Sequence, residues 1–421
     1  MMAYVVIIGP VTRELGLPEW AAGLAITTGG VFWVALSRWW GQVSDRRGRR
    51  PVLLTGFAVC TVTYLVLAIG LELALGGQIG ATAALVLLVL TRAVIGGVYA
   101  AVPPAAAAMI ADHTPPAGRP ARMARLGTAN AIGMVIGPAL AASIAARDLS
   151  WVLYGAAALP ALGLIAVGFG LRQASPAAAP ASSQSPQSPQ SPLPPQSPPP
   201  QAPLGRFDRR LRLVSVAALI AMASVAVAQV TIGFFAIDRL GLDPRAGAGA
   251  AGLALATVGL VQVLSHQVVM RRPAVPAIRW IAIGALIASL GFASVSLVTT
   301  QAQLMIGYGV AAFGMGFIFP SLQALAANAV GPRELGAAAG TVSAAQGVGM
   351  VIAPLAATLL YRLGPAAPYL LVAVLLAGLG LYLSRQAGLF RRSPSHAVGA
   401  DDAAASVPTA ARAKSDAGRQ P

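Results

Sequence analysis

GQVSDRRGRRPVLL, residues Gly41 to Leu54, places two glycines, an acid and four arginines in a short polar stretch between two long hydrophobic ones. Residues 20–40 precede it and residues 52–74 follow it. Each run is long enough to cross the hydrocarbon core of a bilayer, which takes roughly 20 apolar residues. The stretch therefore reads as a tight turn between two membrane-spanning helices. Further apolar runs cover 81–112, 123–145, 151–171, 211–237, 248–270, 280–298, 304–328, 337–361 and 366–383, which makes eleven spans. Hydrophobic residues are 57% of the chain, charged residues only 10%, and the mean hydropathy is +0.73. Only helices that satisfy their own backbone fit such a composition, so the expected fold is an all-α polytopic membrane protein.

Residues 1–11 form an apolar stub too short to span, and Arg13 and Glu14 follow at once. The stub reads as the second half of a truncated first helix, and roughly 10 to 25 further residues upstream would complete it. A secretory leader would need basic residues before the apolar stretch and a small-residue cleavage site after it, and the sequence shows neither.

Charge follows the turns. The 29 basic residues, all arginine except Lys414, outnumber 13 acids and collect on alternate connections: Arg46 to Arg50, then Arg119, Arg122 and Arg125, then Arg206 to Arg212, then Arg271 and Arg272. On the other side the arginines have acidic neighbours, Arg147 beside Asp148, and Arg239 and Arg245 near Asp238 and Asp243. The arginine-rich side is thus expected to be cytoplasmic, in an inner membrane of bacterial type. Nucleic acid is excluded as a partner because no soluble domain exists to carry a basic patch. Cys60 is the single cysteine, inside an apolar run, which leaves no disulfide and no Cys metal site. No cluster has metal-ligand spacing, no nucleophilic triad is present and no cofactor is implied, which disfavours an enzyme.

Residues 172–210 turn abruptly to Pro, Ser, Gln and Ala, with SPQSPQSPLPPQSPPP at the centre, and read as a disordered cytoplasmic linker. Residues 387–421 read as a cytoplasmic tail of the same kind. The chain then divides into a bundle at 1–171 and another at 211–386. The halves are related: GMVIGPALAA at Gly133 to Ala142 recurs 216 residues on as GMVIAPLAAT at Gly349 to Thr358, and the same offset carries Pro104 to Pro320. Two pseudo-symmetric six-helix bundles around a central pathway are expected, as in alternating-access carriers.

These stretches together resemble the major facilitator superfamily, and within it the twelve-helix drug:proton antiporters that include tetracycline exporters. Gly41, Asp45, Arg46, Gly48, Arg49 and Arg50 match the loop motif G-x-x-x-D-R-x-G-R-R. Arg92 and Gly96 fit the fourth-helix motif, with Ile95 where Gln is usual. Gly133, Gly137 and Pro138 match the fifth-helix exporter motif G-x-x-x-G-P, with Ala141 and Ala142 replacing its closing glycine pair, and Gly349 and Pro354 hold the equivalent places in the second copy. The resemblance implies proton-coupled efflux of small amphipathic drugs by a monomer in the lipid bilayer. It also implies a loop that acts as a latch, with Asp112 resembling the acid that pairs with Arg49. No Asp or Glu lies mid-span, and the acid that tetracycline-type exporters carry in their first helix would fall before Met1.

Physical readings accompany each motif. Gly41 would let a neighbouring backbone approach. Asp45 could face a helix N-terminus while pairing with arginine. Arg92 lies deep in a span, where a charge costs at least about 2.5 kcal/mol and usually faces a cavity or a partner. It shares a helix face with Gly96 and Tyr99. A fixed charge there favours anionic or zwitterionic substrates, against the lipophilic or cationic drugs that the apolar core suggests. Pro138 and Pro354 mark kinked, closely packed helices. Gln229, Gln262 and His266 are candidates for the cavity, Gln262 and His266 sharing a face, although a buried amide is more often a bond between helices. A metabolite uptake carrier of the same fold is the alternative; of another class are a membrane-embedded enzyme, which the lack of a catalytic constellation disfavours, and a non-transporting sensor, for which the short soluble segments leave no output domain.

Overall fold

The computed structural model describes residues 2–112, 114, 119–170, 208–272, 274–331 and 334–389. Most of the linker and most of the tail lie outside that set. Among the described residues every regular element is a helix. The first bundle contains α1 (Met2–Glu14), α2 (Glu19–Arg47), α3 (Arg49–Leu75), α4 (Ala81–Tyr99), α5 (Val102–Asp112), α6 (Arg119–Ala145) and α7 (Leu149–Gly170). The second contains α8 (Arg212–Leu240), α9 (Pro244–Met270), α10 (Ala277–Val295), α11 (Gln301–Asn328), α12 (Leu335–Tyr361) and α13 (Ala367–Leu389). Ten described helical segments are long and apolar enough to cross a membrane, one of them, Ala81–Ile110, running through α4 into α5, and α6 adds the apolar stretch Ile132–Ala145.

Local chemistry sets the ends. Asp243 caps α9 by accepting from the amides of Arg245 and Ala246, with Pro244 at the first helical position. Thr300 and Gln303 form a reciprocal capping box on α11. Gly241 ends α8 in the left-handed conformation.

Two expectations about extent change. The apolar run 81–112 is not one rod: α4 ends at Tyr99 and α5 restarts at Val102. Pro103 and Pro104 supply no backbone N–H and are tolerated only in a first turn, so the helix breaks just ahead of them. The stretch Gly41 to Arg47 is not loop but the last turns of α2, and Gly48 alone separates it from α3.

The lipid-facing surface is apolar, with Leu162, Phe169, Leu290, Leu297 and Ile306 all exposed. Hydrocarbon gives no hydrophobic drive between helices, so close packing of small residues must hold them together. A Cβ on Gly96 of α4 would overlap the Gly29 backbone of α2, and one on Gly314 of α11 would overlap the Gly284 backbone of α10. α1 lies among α6, α7, α8 and α9, and its Tyr4, Val6, Ile7 and Ile8 are almost fully buried.

Candidate functional site

The bundles meet through two equivalent contacts. A Cβ on Gly252 of α9 would lie 2.7 Å from the Pro138 carbonyl oxygen of α6, and against Ala142 as well. A Cβ on Gly23 of α2 would lie 2.7 Å from the Pro354 carbonyl oxygen of α12, and against Thr358. Pro354 and Thr358 stand at the repeat offset from Pro138 and Ala142. Seven residues on, Gly259 meets Val135 and Gly30 meets Val351, again the same pairing. Sequence reasoning missed the glycine side of these contacts, although a signal was there: AAGLAITTGG at 21–30 returns as AAGLALATVG at 250–259. Within the exporter motif, Gly349 packs on Leu219 and Ala223 of α8. Gly137 is 3.8 Å from Met2 by the same measure, and Gly133 faces open space.

These contacts lie in the half of the molecule away from Arg46–Arg50. At that far end the Arg13 guanidinium of α1 bridges the bundles, 2.6 Å from Asp238 of α8 and 2.8 Å from Glu19 of α2. The Tyr361 hydroxyl of α12 donates to the same Asp238 oxygen at 3.0 Å. Arg13 also stands over the Phe234 ring, 5.5 Å from its centroid. Nearby, α1 and α8 touch backbone to backbone at Gly9 and Gly233.

Behind the seals lies a cavity of about 370 Å³, walled by α1, α6, α8, α9, α10, α11 and α12. Met2, Met134, Met222, Met315 and Met350 line it with Phe292 and Phe319. Its polar groups are Gln229, Gln262, Gln346 and Tyr308, whose hydroxyl is engaged with the Ala228 carbonyl at 2.9 Å and with Tyr369 at 2.8 Å. The structure thus brings Gln229 and Gln262 together, with Gln346 as a third amide. His266 does not join them: one turn beyond Gln262, it is absent from the wall and its Nε2 is shielded without a partner.

Arg92 is buried and lines a smaller adjoining space of about 50 Å³ with Trp33, Pro354 and the shared residues Met2, Gln229 and Met350. Its guanidinium stacks on Tyr4, 4.5 Å from the ring centroid. Gly96, one turn along, serves the α2–α4 packing, and Tyr99 meets Trp33 edge to face at 6.1 Å.

At the arginine-rich end, Arg49 pairs with Asp45 across Gly48 and donates to the Ser44 hydroxyl at 3.0 Å. Arg50 donates to the Gly168 carbonyl at the end of α7, 2.8 Å away, tying the turn to the first bundle. Arg46 and Arg47 close the last turn of α2. The close approach expected at Gly41 is absent, because a Cβ there would meet nothing within 4 Å. Asp112 ends α5, and its side chain lies outside the described residues. In the second bundle, Arg210 joins Asp208 and Glu334 at 2.9 and 3.2 Å. Hydrogen bonds from the Arg210 side chain and then its amide hold the Asp208 carboxyl below the usual carboxylate range.

Known proteins fit this architecture. Over 133 residues the chain is 32% identical to human solute carrier family 67 member A1, covering 32% of this chain and 29% of that protein. Over 138 residues it is 31% identical to rat solute carrier family 22 member 18, covering 33% and 31%. The aligned region thus spans about three tenths of those relatives' length. Among solved structures, the peptide transporter POT in complex with sulfate superposes with a TM-score of 0.69 at 14% identity, over 92% of both chains. A bacterial homolog of the human lysosomal transporter Spinster, inward-facing and unoccupied, gives 0.65 at 13% identity, also over 92% of both. The nucleoside transporter NupG gives 0.66 at 14%, over 93% and 95%. These likenesses show the fold. The sequence model of the Major Facilitator Superfamily matches residues 1–303 and 278–417, nearly the whole chain, and the chain belongs to that superfamily.

Proposed function

We propose that the chain is a secondary active transporter that carries small amphipathic molecules out of the cell in exchange for protons. The observation that supports this most is the reciprocal pair of seals, Gly252 on Pro138 and Gly23 on Pro354, closing one end of a cavity that both bundles wall. Rigid bundles that rock about a central site need such a contact, tight in one state and broken in the other. With the arginine-rich end in the cytoplasm, this state is closed to the outside. The five methionines favour a broad range of apolar substrates, since their flexible thioethers repack around different shapes. Export and proton exchange are inferred from the exporter-like Gly137 and Pro138 and from the loop motif, for which a latch role follows by the same resemblance.

The test is energy-dependent accumulation of a fluorescent amphipathic dye in a pump-deficient host. Expression should lower accumulation, and a proton uncoupler should restore it. Faster entry of a metabolite, with dye handling unchanged, would replace export by uptake.

A further inference from the structure

We propose that Arg92 binds the anionic head of an amphipathic substrate whose apolar body occupies the adjoining methionine-lined cavity. The inference rests on the transport reading and names its substrate class. Arg92 is only 5% exposed, yet its Nε and Nη1 are shielded with no hydrogen-bond partner, and no ion pair to it is present among the described residues. Buried donors are almost always satisfied, so unpaired ones in a space that admits a ligand point to the ligand. The stacking on Tyr4 occupies one face of the planar group and leaves its N–H edge free, which is the edge that grips a carboxylate or phosphate. The Tyr4 hydroxyl, on the ring that Arg92 stacks against, is likewise buried without a partner.

A guanidinium with two unpaired donors and a fixed positive charge selects an acceptor of negative charge and repels a cation. The space that Arg92 lines, about 50 Å³, fits a head group and not a ring system. It shares Met2, Gln229 and Met350 with the cavity of about 370 Å³, whose wall is mostly apolar. Head and body of one amphipathic anion would fill both.

The experiment uses the purified full chain in detergent and three probes of one shape: 1-naphthoate, 1-naphthamide and 1-naphthylmethylammonium. Quenching of Trp33, which lines the head-group space, reports binding, with Trp33→Phe as the control for the signal's origin. Naphthoate should bind at least tenfold more tightly than naphthamide, and the cation most weakly. Arg92→Gln should abolish the preference while retaining naphthamide binding, and Arg92→Lys should keep part of it. Equal affinity for naphthoate and naphthamide, tightest binding of the cation, or a preference that survives Arg92→Gln would overturn the proposal. If Arg92→Gln fails to fold, the ranking of the three probes in the parent protein still decides it. Equilibrium binding is blind to direction, so this outcome is separate from that of the accumulation assay.

Discussion

Gly252 of α9 lies so close beneath Pro138 of α6 that one added methyl would come 2.7 Å from the proline's carbonyl oxygen. Neither backbone can yield without moving its helix, and the contact joins opposite bundles. Overpacking of this kind costs about 1 to 3 kcal/mol. Gly252→Val, and independently Gly23→Val, should therefore disfavour the sealed state by roughly five- to 150-fold, since each 1.4 kcal/mol is a factor of ten. Cysteines introduced into the cavity wall should then react faster with a membrane-impermeant thiol reagent added from outside. Cys60, buried in α3, gives little background. Unchanged labelling in both variants would refute the seal.

The bridge from Arg13 to Asp238 belongs to the same closed end but should contribute less. Both partners are partly solvated, at 30% and 25% side-chain exposure, and such pairs are worth about 0.2 to 1 kcal/mol. Arg13→Ala or Asp238→Asn should raise outside labelling only a few-fold. The exchange Arg13→Asp with Asp238→Arg should restore part of the loss, although Glu19 would then repel the new aspartate. A double-mutant cycle measures the coupling, and zero coupling would mean that the pair is incidental.

Gly48 is the whole connection between α2 and α3, at φ 88° and ψ 161°, a backbone region open essentially to glycine alone. Gly48→Ala should cost on the order of 1 to 3 kcal/mol of strain. It should lower the thermal midpoint of the purified protein, and transport with it. Asp45→Asn, by contrast, removes only the charge paired with Arg49. It should leave insertion intact and reduce transport several-fold if the turn governs the balance between states. Parental dye efflux by Asp45→Asn at equal membrane abundance would refute the latch.

The tie of Asp208 to Arg210 carries a pH signature. Its carboxyl is held below the ordinary value, so its contribution is complete above about pH 4 and fades only as pH falls through the lower folded-state value. The midpoint difference between the parent and Asp208→Asn should be equal at pH 5.5 and pH 7.5 and shrink toward pH 3. A difference that grew as pH fell would contradict the assigned direction.

The spans were legible because a bilayer imposes one length on every helix, and the arginine pattern gave the turns directly. The break after Tyr99 was also legible in principle, from Pro103 and Pro104, but an alanine-rich run conceals where a helix bends. Gly41 misled because a small residue near a helix end is equally consistent with close packing and with open space. Arg13 and Asp238, 225 residues apart, could not be matched from sequence, since each looks like an ordinary charge at a helix end. The glycine partners of the proline helices were readable only by aligning the halves at a second offset. His266 shows the limit of face reasoning: a shared helix face fixes direction, not whether the neighbouring helices open a space there.

The crossed arrangement of the seals ties the two halves of the gene to one another. Each proline helix is matched to a glycine helix encoded in the other half, so neither half can drift without a compensating change across the linker. A chimaera that joins the first bundle of this chain to the second bundle of a distant relative should inherit two mismatched joints at once, even though each bundle taken alone would be intact.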